Sequence, residues 1–212
     1  MKKFIAKALP LAAICLFAAS GLCFGQSKAG GLTCVGLYSE TSDGQVSYRS
    51  GAGAWIVIKV GDSVPATAQV KVNVDRDWVE FIAAGKPNAV YEITGPASGE
   101  TVMKVADILK SKARAVAFPK GSTSSPDPKY KDKLVVTQYL GRQIYKNANG
   151  DSKDIKYGDV FDNKGKVRII ATNNTISLMN ASGGVTTVVG PLNFTVEQVL
   201  TNKSLYKYLN VQ

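Results

Sequence analysis

"IKVGD" at residues 58–62 comes back as "IKYGD" at residues 155–159, ninety-seven residues further along the chain. At that one offset residues 44–82 lie over 141–179 without a gap. Besides the quoted stretch, identities fall at Gly44 and Gly141, Tyr48 and Tyr145, Gly53 and Gly150, and Val70 and Val167. Val72 and Ile169, Val79 and Ile176, Phe81 and Leu178, and Ile82 and Met179 are conservative pairs. A two-residue deletion then sets "VYEITGP" (90–96) over "VTTVVGP" (185–191), matching Gly95 with Gly190 and Pro96 with Pro191. The pattern predicts two tandem homologous domains, 34–116 and 134–212. Residues 117–133, "AFPKGSTSSPDPKYKDK", are rich in Pro, Ser and charge and read as a linker.

Each unit reads as β. "QVSYRS", "AWIVIKV", "AQVKVNV", "WVEFI" and "AVYEI" are short, rich in Val, Ile and Tyr, and separated by Gly, Pro, Asp or Asn. Gly61-Asp62 and Gly158-Asp159 are predicted structural turns, since Gly tolerates positive φ and Asp can bond the backbone two residues on. Towards the end of each unit the period changes. "TVMKVADILKSK" (101–112) sets Val102, Val105, Ala106 and Leu109 on one helical face, and "TVEQVLTNKSLYKYL" (195–209) does the same with Val196, Val199 and Leu200. The expected fold class is all-β with short helices: two β-roll or β-sandwich-like domains, each closed by a short C-terminal helix.

This pattern resembles the FecR domain, an exported all-β module. The first copy carries the likeness in "GQVSYRSGAGAWIVIKVGDSVPATAQVKV", "VEFIAAG" and "ITGP", the second in "IKYGDVFDNKGKVRI", "ISLMNASGG" and "VVGP". Thr67 and Lys164 stand where that family usually has Gly, and the second copy moves its glycine to Gly165. Members that regulate sigma factors carry a cytoplasmic helical region and a membrane helix ahead of the β domain. Neither is read in this sequence, so the resemblance implies the β module more than any signalling role.

Residues 1–25 have the layout of a secretory signal peptide: Lys2, Lys3 and Lys7, an apolar run over 8–19, then small residues. Ala18 and Ser20 suit cleavage after Ser20, while Cys23 and Gly25 suit cleavage before Gln26. Lipid anchoring would have to use Cys23, where Leu22 and Ser20 depart from the usual pattern. The mature chain is expected to lack a transmembrane segment and to be periplasmic or envelope-associated. Loss of those three lysines leaves 23 basic against 16 acidic residues, a balance of +7. The charges are interleaved and form no arginine cluster, which favours a solvated surface over nucleic-acid binding. Of three cysteines only Cys34 lies clear of the cleavage region, so no disulfide framework is expected.

The chain has no histidine, which removes the Ser/His/Asp and Cys/His schemes and the commonest metal ligand. "NANGDSKD" (147–154) lacks the ordered acidic spacing of a calcium loop and reads as a hairpin turn. Neither catalytic residues, a metal nor a cofactor are expected. Residues common to both copies serve the common fold, so a distinct function is sought where the copies differ. Strand parity puts Ile56, Ile58 and Val60 on the core face, with Ile155 and Tyr157 matching the last two, and turns Trp55, Val57 and Lys59 outward. Likewise Val79 and Phe81 face the core and Trp78 and Glu80 face away. Where the first copy has Trp55, Val57 and Trp78, the second has Ser152, Asp154 and Thr175. Trp55, Val57 and Trp78 are therefore the predicted contact residues, for a partner or for the second domain. The expected function is a non-catalytic scaffold or interaction module of the envelope, with protein partners. The alternatives are a glycan or peptidoglycan binder using the same tryptophans, and an envelope signal-sensing module.

Overall fold

Short β-branched runs between turn residues become short strands. The computed structural model describes residues 30–39, 46–73 and 77–201. The signal peptide expected at 1–25 and the end of the second helical pattern, 202–209, lie outside the described residues. The first half runs β1 (Leu32–Tyr38), β2 (Ser47–Ser50), β3 (Ile56–Val57), β4 (Ser63–Val64), β5 (Ala68–Val72), β6 (Trp78–Ala83), β7 (Lys86–Thr94), β8 (Thr101–Lys104), α1 (Val105–Ile108) and β9 (Arg114–Ala115). The second runs β10 (Lys133–Leu140), β11 (Gln143–Lys146), β12 (Ser152–Asp154), β13 (Val160–Asp162), β14 (Lys166–Ile169), β15 (Thr175–Met179), β16 (Val185–Val189), β17 (Leu192–Thr195) and α2 (Val196–Thr201). The fold is mostly β with two short helices.

The pairings recur from one half to the other. Tyr48 pairs with Val70 as Tyr145 pairs with Val167. Leu32 pairs with Val64 as Leu134 pairs with Phe161. Val79 pairs with Ile93 as Ile176 pairs with Val188, the shift expected from the two-residue deletion. Even the irregularity in the first strand recurs, between Cys34 and Gly36 and between Val136 and Gln138. The Gly-Asp turns match bond for bond. Gly61 donates its N–H to Cys34 O and Gly158 to Val136 O, both at 2.8 Å. The aspartate accepts the backbone N–H three residues earlier, not two on: Lys59 N–H to Asp62 at 2.8 Å and Lys156 N–H to Asp159 at 2.9 Å. Gly61 (φ 95°) and Gly158 (φ 78°) occupy the left-handed region that the turn needs. Gly95 and Gly190, each followed by its proline, donate to Asp77 O and Asn174 O at 2.8 Å and close matching hairpins.

The two halves share one sheet. β1 and β10 pair in parallel through Gly36 with Tyr139 and Leu37 with Leu140, which joins them in a nine-stranded sheet ordered β16-β15-β10-β1-β6-β7-β9, with β4 on β1 and β13 on β10. Each half adds a four-stranded side sheet, β3-β2-β5-β8 in the first and β12-β11-β14-β17 in the second. One core lies within the first half, around Phe81, Ile58 and Ile108. The other, around Phe161, Tyr145 and Ile169, extends into the first half through Val35, Ile82 and Val90. The segment predicted as a linker is an ordered strap: Phe118 packs on the second core, Pro128–Tyr130 forms a 3-10 turn, and Tyr130 is buried.

Two local expectations are corrected. The helical face over 101–112 does not form, because Thr101–Lys104 takes the free edge of β5 as β8, and helix is left only for Val105–Ile108. Open strand edges recruit β-branched residues more strongly than a short helical period holds them. Ile56 does not share the core face with Ile58: it is 52% exposed, because β3 spans only two residues at the sheet edge. The second helix begins as expected, with Val196 and Val199 buried. Thr195 and Gln198 cap it reciprocally, Thr195 N–H to Gln198 Oε1 at 2.7 Å and Gln198 N–H to Thr195 Oγ1 at 3.2 Å.

Candidate functional site

The two predicted tryptophans are held on opposite sides of the first core. On β6, Val79 and Phe81 enter that core, so Trp78, Glu80 and Ile82 point to the other face of the central sheet. There they meet the second half. Trp78 stacks on Tyr38, directly opposite on β1, with ring centroids 4.1 Å apart, and its Nε1–H donates to Tyr139 Oη at 2.6 Å. Trp78 thus docks the second half.

Glu80 lies at the centre of this seam with no exposure. Its Oε1 accepts from Arg114 Nη2 at 2.5 Å and its Oε2 from Tyr157 N–H at 2.8 Å. Arg114 Nη2 also donates to Tyr157 O at 3.0 Å, so guanidinium, carboxylate and the backbone of one residue close a ring. Burial pushes the Glu80 carboxyl above its ordinary range, and the Tyr157 N–H, Arg114 and the Tyr139 hydroxyl pull it back in part. Gly36 makes room for this. It pairs with Glu80 on one side and with Tyr139 on the other, and a Cβ there would stand 2.1 Å from Tyr139 Cε1. The missing side chain lets the Tyr139 ring cross to Glu80 and Trp78. Burial also raises the Tyr139 hydroxyl well above its ordinary range, and Glu80 adds to the rise.

Glu80 faces Glu92 across β6 and β7, the nearest thing to a carboxylate pair on the central sheet. Each has its own cation, Arg114 for Glu80 and Lys156 for Glu92 at 2.6 Å. Glu80 is enclosed and Glu92 partly exposed, and the two cations tie both carboxylates into the seam. The 147–151 segment is a hairpin turn, closed by Asn147 N–H to Asp151 O at 2.9 Å and by Asn147 Nδ2 to the Asp151 carboxylate at 3.0 Å. Among the described residues no three His, Cys, Asp or Glu gather as metal ligands, and no helix is long and apolar enough to cross a membrane.

Trp55 and Val57 belong to a different surface. Strand register places Arg49, Gln69 and Lys104 in one row across the outer face of the first side sheet, and Val57, Ser47, Lys71 and Val102 in the next. Val57 is 45% exposed and Val102 42%. Trp55 is half-buried because two cations cover its ring, Arg49 at 4.5 Å and Lys71 at 4.8 Å from the centroid. Arg49 Nε also donates to Gln69 at 3.0 Å, and Lys71 pairs with Glu100 at 3.4 Å.

No family model, curated protein or solved structure matches this chain. Of the predicted contact residues, the structure keeps Trp55 and Val57 together and puts Trp78 elsewhere. Arg114 and Gly36 carry no signal within the repeat: Arg114 lies past the aligned stretch, and Gly36 precedes it. Tyr157 was expected on a core face, and it is buried there, but its backbone is what binds Glu80.

Proposed function

We propose that the chain is an exported, non-catalytic interaction module working in the periplasm or cell envelope as an accessory or scaffold subunit of a larger assembly. It meets its protein partner through the outer face of the first side sheet, at Trp55, Val57 and Val102. One observation carries this reading: that face keeps apolar side chains, Val57 and Val102 exposed and Trp55 half-buried, where the second copy has Asp154, Asn193 and Ser152, so the common fold does not require them. The seam, which accounts for Trp78, does not account for Trp55. An aromatic anchor flanked by apolar residues and rimmed by cations is the composition of a protein contact. The same cations cover the Trp55 ring, which argues against sugar stacking on it. The FecR likeness accords with a β module that acts by contact, and the ion-paired, enclosed Glu80 accords with a non-catalytic role.

The test is capture from envelope extracts by the wild-type chain and by Trp55→Thr/Val57→Thr, with bound proteins identified by mass spectrometry. The reading expects a discrete partner that the double variant loses while keeping the wild-type melting temperature. Equal capture by both chains would remove the first side sheet as the contact surface.

A further inference from the structure

The outer face of the second side sheet is the structural equivalent of the Trp55 face, yet it is built differently. Register aligns Ser152, Lys146, Lys166 and Thr195 in one row and Asp154, Ile144, Arg168 and Asn193 in the next. Lys146, Lys166 and Arg168 are exposed and none of them has an ion-pair partner among the described residues. Asp154, the acid in these rows, is already held by Arg142 at 3.2 Å. Their counterparts in the first half are engaged: Arg49 by Trp55 and Gln69, Lys71 by Trp55 and Glu100. Ser152 in place of Trp55 takes the lid off this face. What remains is a groove of about 560 Å³ lined by Lys146, Lys166 and Arg168 together with Ser152, Asn193 and Gln198.

We infer that this groove binds an acidic polysaccharide, a chain of sugars carrying repeated carboxylate groups. Charge decides the sign of the ligand: three cations with no ion-pair partner among the described residues stand on one sheet face. Spacing decides that it is a polymer. Neighbouring strands lie about 5 Å apart and alternate residues along a strand about 7 Å apart, so the three cations are spread over two strands and a chain with repeated acids can meet each of them in turn. The neutral groups decide for sugar. Gln198 spends its oxygen on the Thr195 N–H, and its amide N–H groups remain as donors in the groove that Asn193 and Ser152 also line. Such donors and acceptors match the hydroxyls that each ring of a sugar chain carries beside its carboxylate. This site is separate from the Trp55 face, and its failure leaves that face untouched.

The experiment measures binding of the exported chain to polygalacturonate by isothermal titration, against neutral dextran, poly-L-glutamate and phosphatidylglycerol vesicles. Expected are binding to polygalacturonate, none to dextran, and a loss of roughly tenfold or more in Lys166→Gln/Arg168→Gln at an unchanged melting temperature. The charge-keeping Lys166→Arg/Arg168→Lys should bind like wild type. So should Arg49→Gln/Lys71→Gln, whose cations are already occupied. Absence of binding to polygalacturonate, or wild-type affinity in the glutamine variant, overturns the inference. Equal or tighter binding of poly-L-glutamate or of the vesicles, lost in the same variant, also overturns it and assigns the face to an acidic protein or a membrane.

Discussion

The turns at 58–62 and 155–159 share their hydrogen bonds and serve opposite ends. Around Gly61 nothing lies within 4 Å of where a Cβ would stand, while a Cβ on Gly158 would stand 2.5 Å from Val116 Cγ1. The first turn is a free rim. The second is pushed into the seam, where Tyr157 gives its N–H to Glu80 and its ring packs against Phe118 at 5.2 Å. Identical residues thus build the turn, and the residue between Lys and Gly, with the surface that receives it, decides what the turn does. The receiving surface exists once. Trp78, Glu80 and Gly36 in the first half correspond by register to Thr175, Ser177 and Gln138 in the second, and none of those three supports a matching dock.

The strongest way to break this asymmetry is to take the cation from the buried carboxylate. Arg114→Ala leaves Glu80 enclosed without its partner, and removal of one member of a buried pair costs about 3–5 kcal/mol. Because Arg114 is 39% exposed and Glu80 can take up a proton, the lower end is expected. Chemical denaturation measures it. The matching position offers a control: Ser177→Ala, with no ion pair, should cost under about 1 kcal/mol. A loss as small in Arg114→Ala would remove the seam as a source of stability.

Space is the next lever. Gly36→Ala puts a methyl group into the Tyr139 ring, and overpacking of this kind costs about 1–3 kcal/mol. Gln138→Ala, at the equivalent strand position, should cost far less. Near-ultraviolet circular dichroism, which reports on the stacked Trp78 and Tyr38, should change in the first variant and stay constant in the second. Equal spectra would mean that Tyr139 does not depend on the glycine.

Titration gives a smaller effect of known sign. The folded carboxyl of Glu80 is raised by burial above its ordinary 4.5, so its contribution to stability is fully present below that value and is lost as pH rises through the raised folded value. Relative to Glu80→Gln, the wild type should therefore lose stability as pH climbs from about 4.5, with the difference levelling once Glu80 is ionised in the folded chain. Parallel stability curves for the two proteins would show that Glu80 does not titrate with a raised value.

Much of the fold was legible because repetition reveals it. The offset of 97 located matching strands, turns and hairpin ends, and both Gly-Asp turns are structural. The parity of β6 correctly turned Trp78 and Glu80 away from the first core, since a long central strand keeps its alternation. Parity misplaced Ile56 because β3 is two residues long and at an edge. The seam was illegible for another reason. A carboxylate on β6 meets an arginine thirty-four residues away and a peptide N–H seventy-seven residues away, and no local period encodes such distances. The parallel pairing of β1 with β10 is likewise a tertiary fact, as both strands precede the aligned stretches at 44 and 141.

The least effect on stability is expected at Trp55, and that is what makes it informative. Its ring is held by Arg49 and Lys71, two partly exposed cation–π contacts worth together about 1 kcal/mol. It belongs to neither core, and the second half manages the same sheet with Ser152 in its place. Trp55→Thr should therefore lower the unfolding free energy by about 1 kcal/mol or less, whereas Trp78→Thr loses the Tyr38 stack and the Tyr139 bond and should cost several times that. If Trp55 serves contact, partner capture falls in Trp55→Thr while the fold holds, and it falls in Trp78→Thr only as far as that variant unfolds. The reverse ranking, with Trp55→Thr the more destabilising, would make Trp55 a structural residue of the first half and leave the difference from Ser152 to be explained by folding alone.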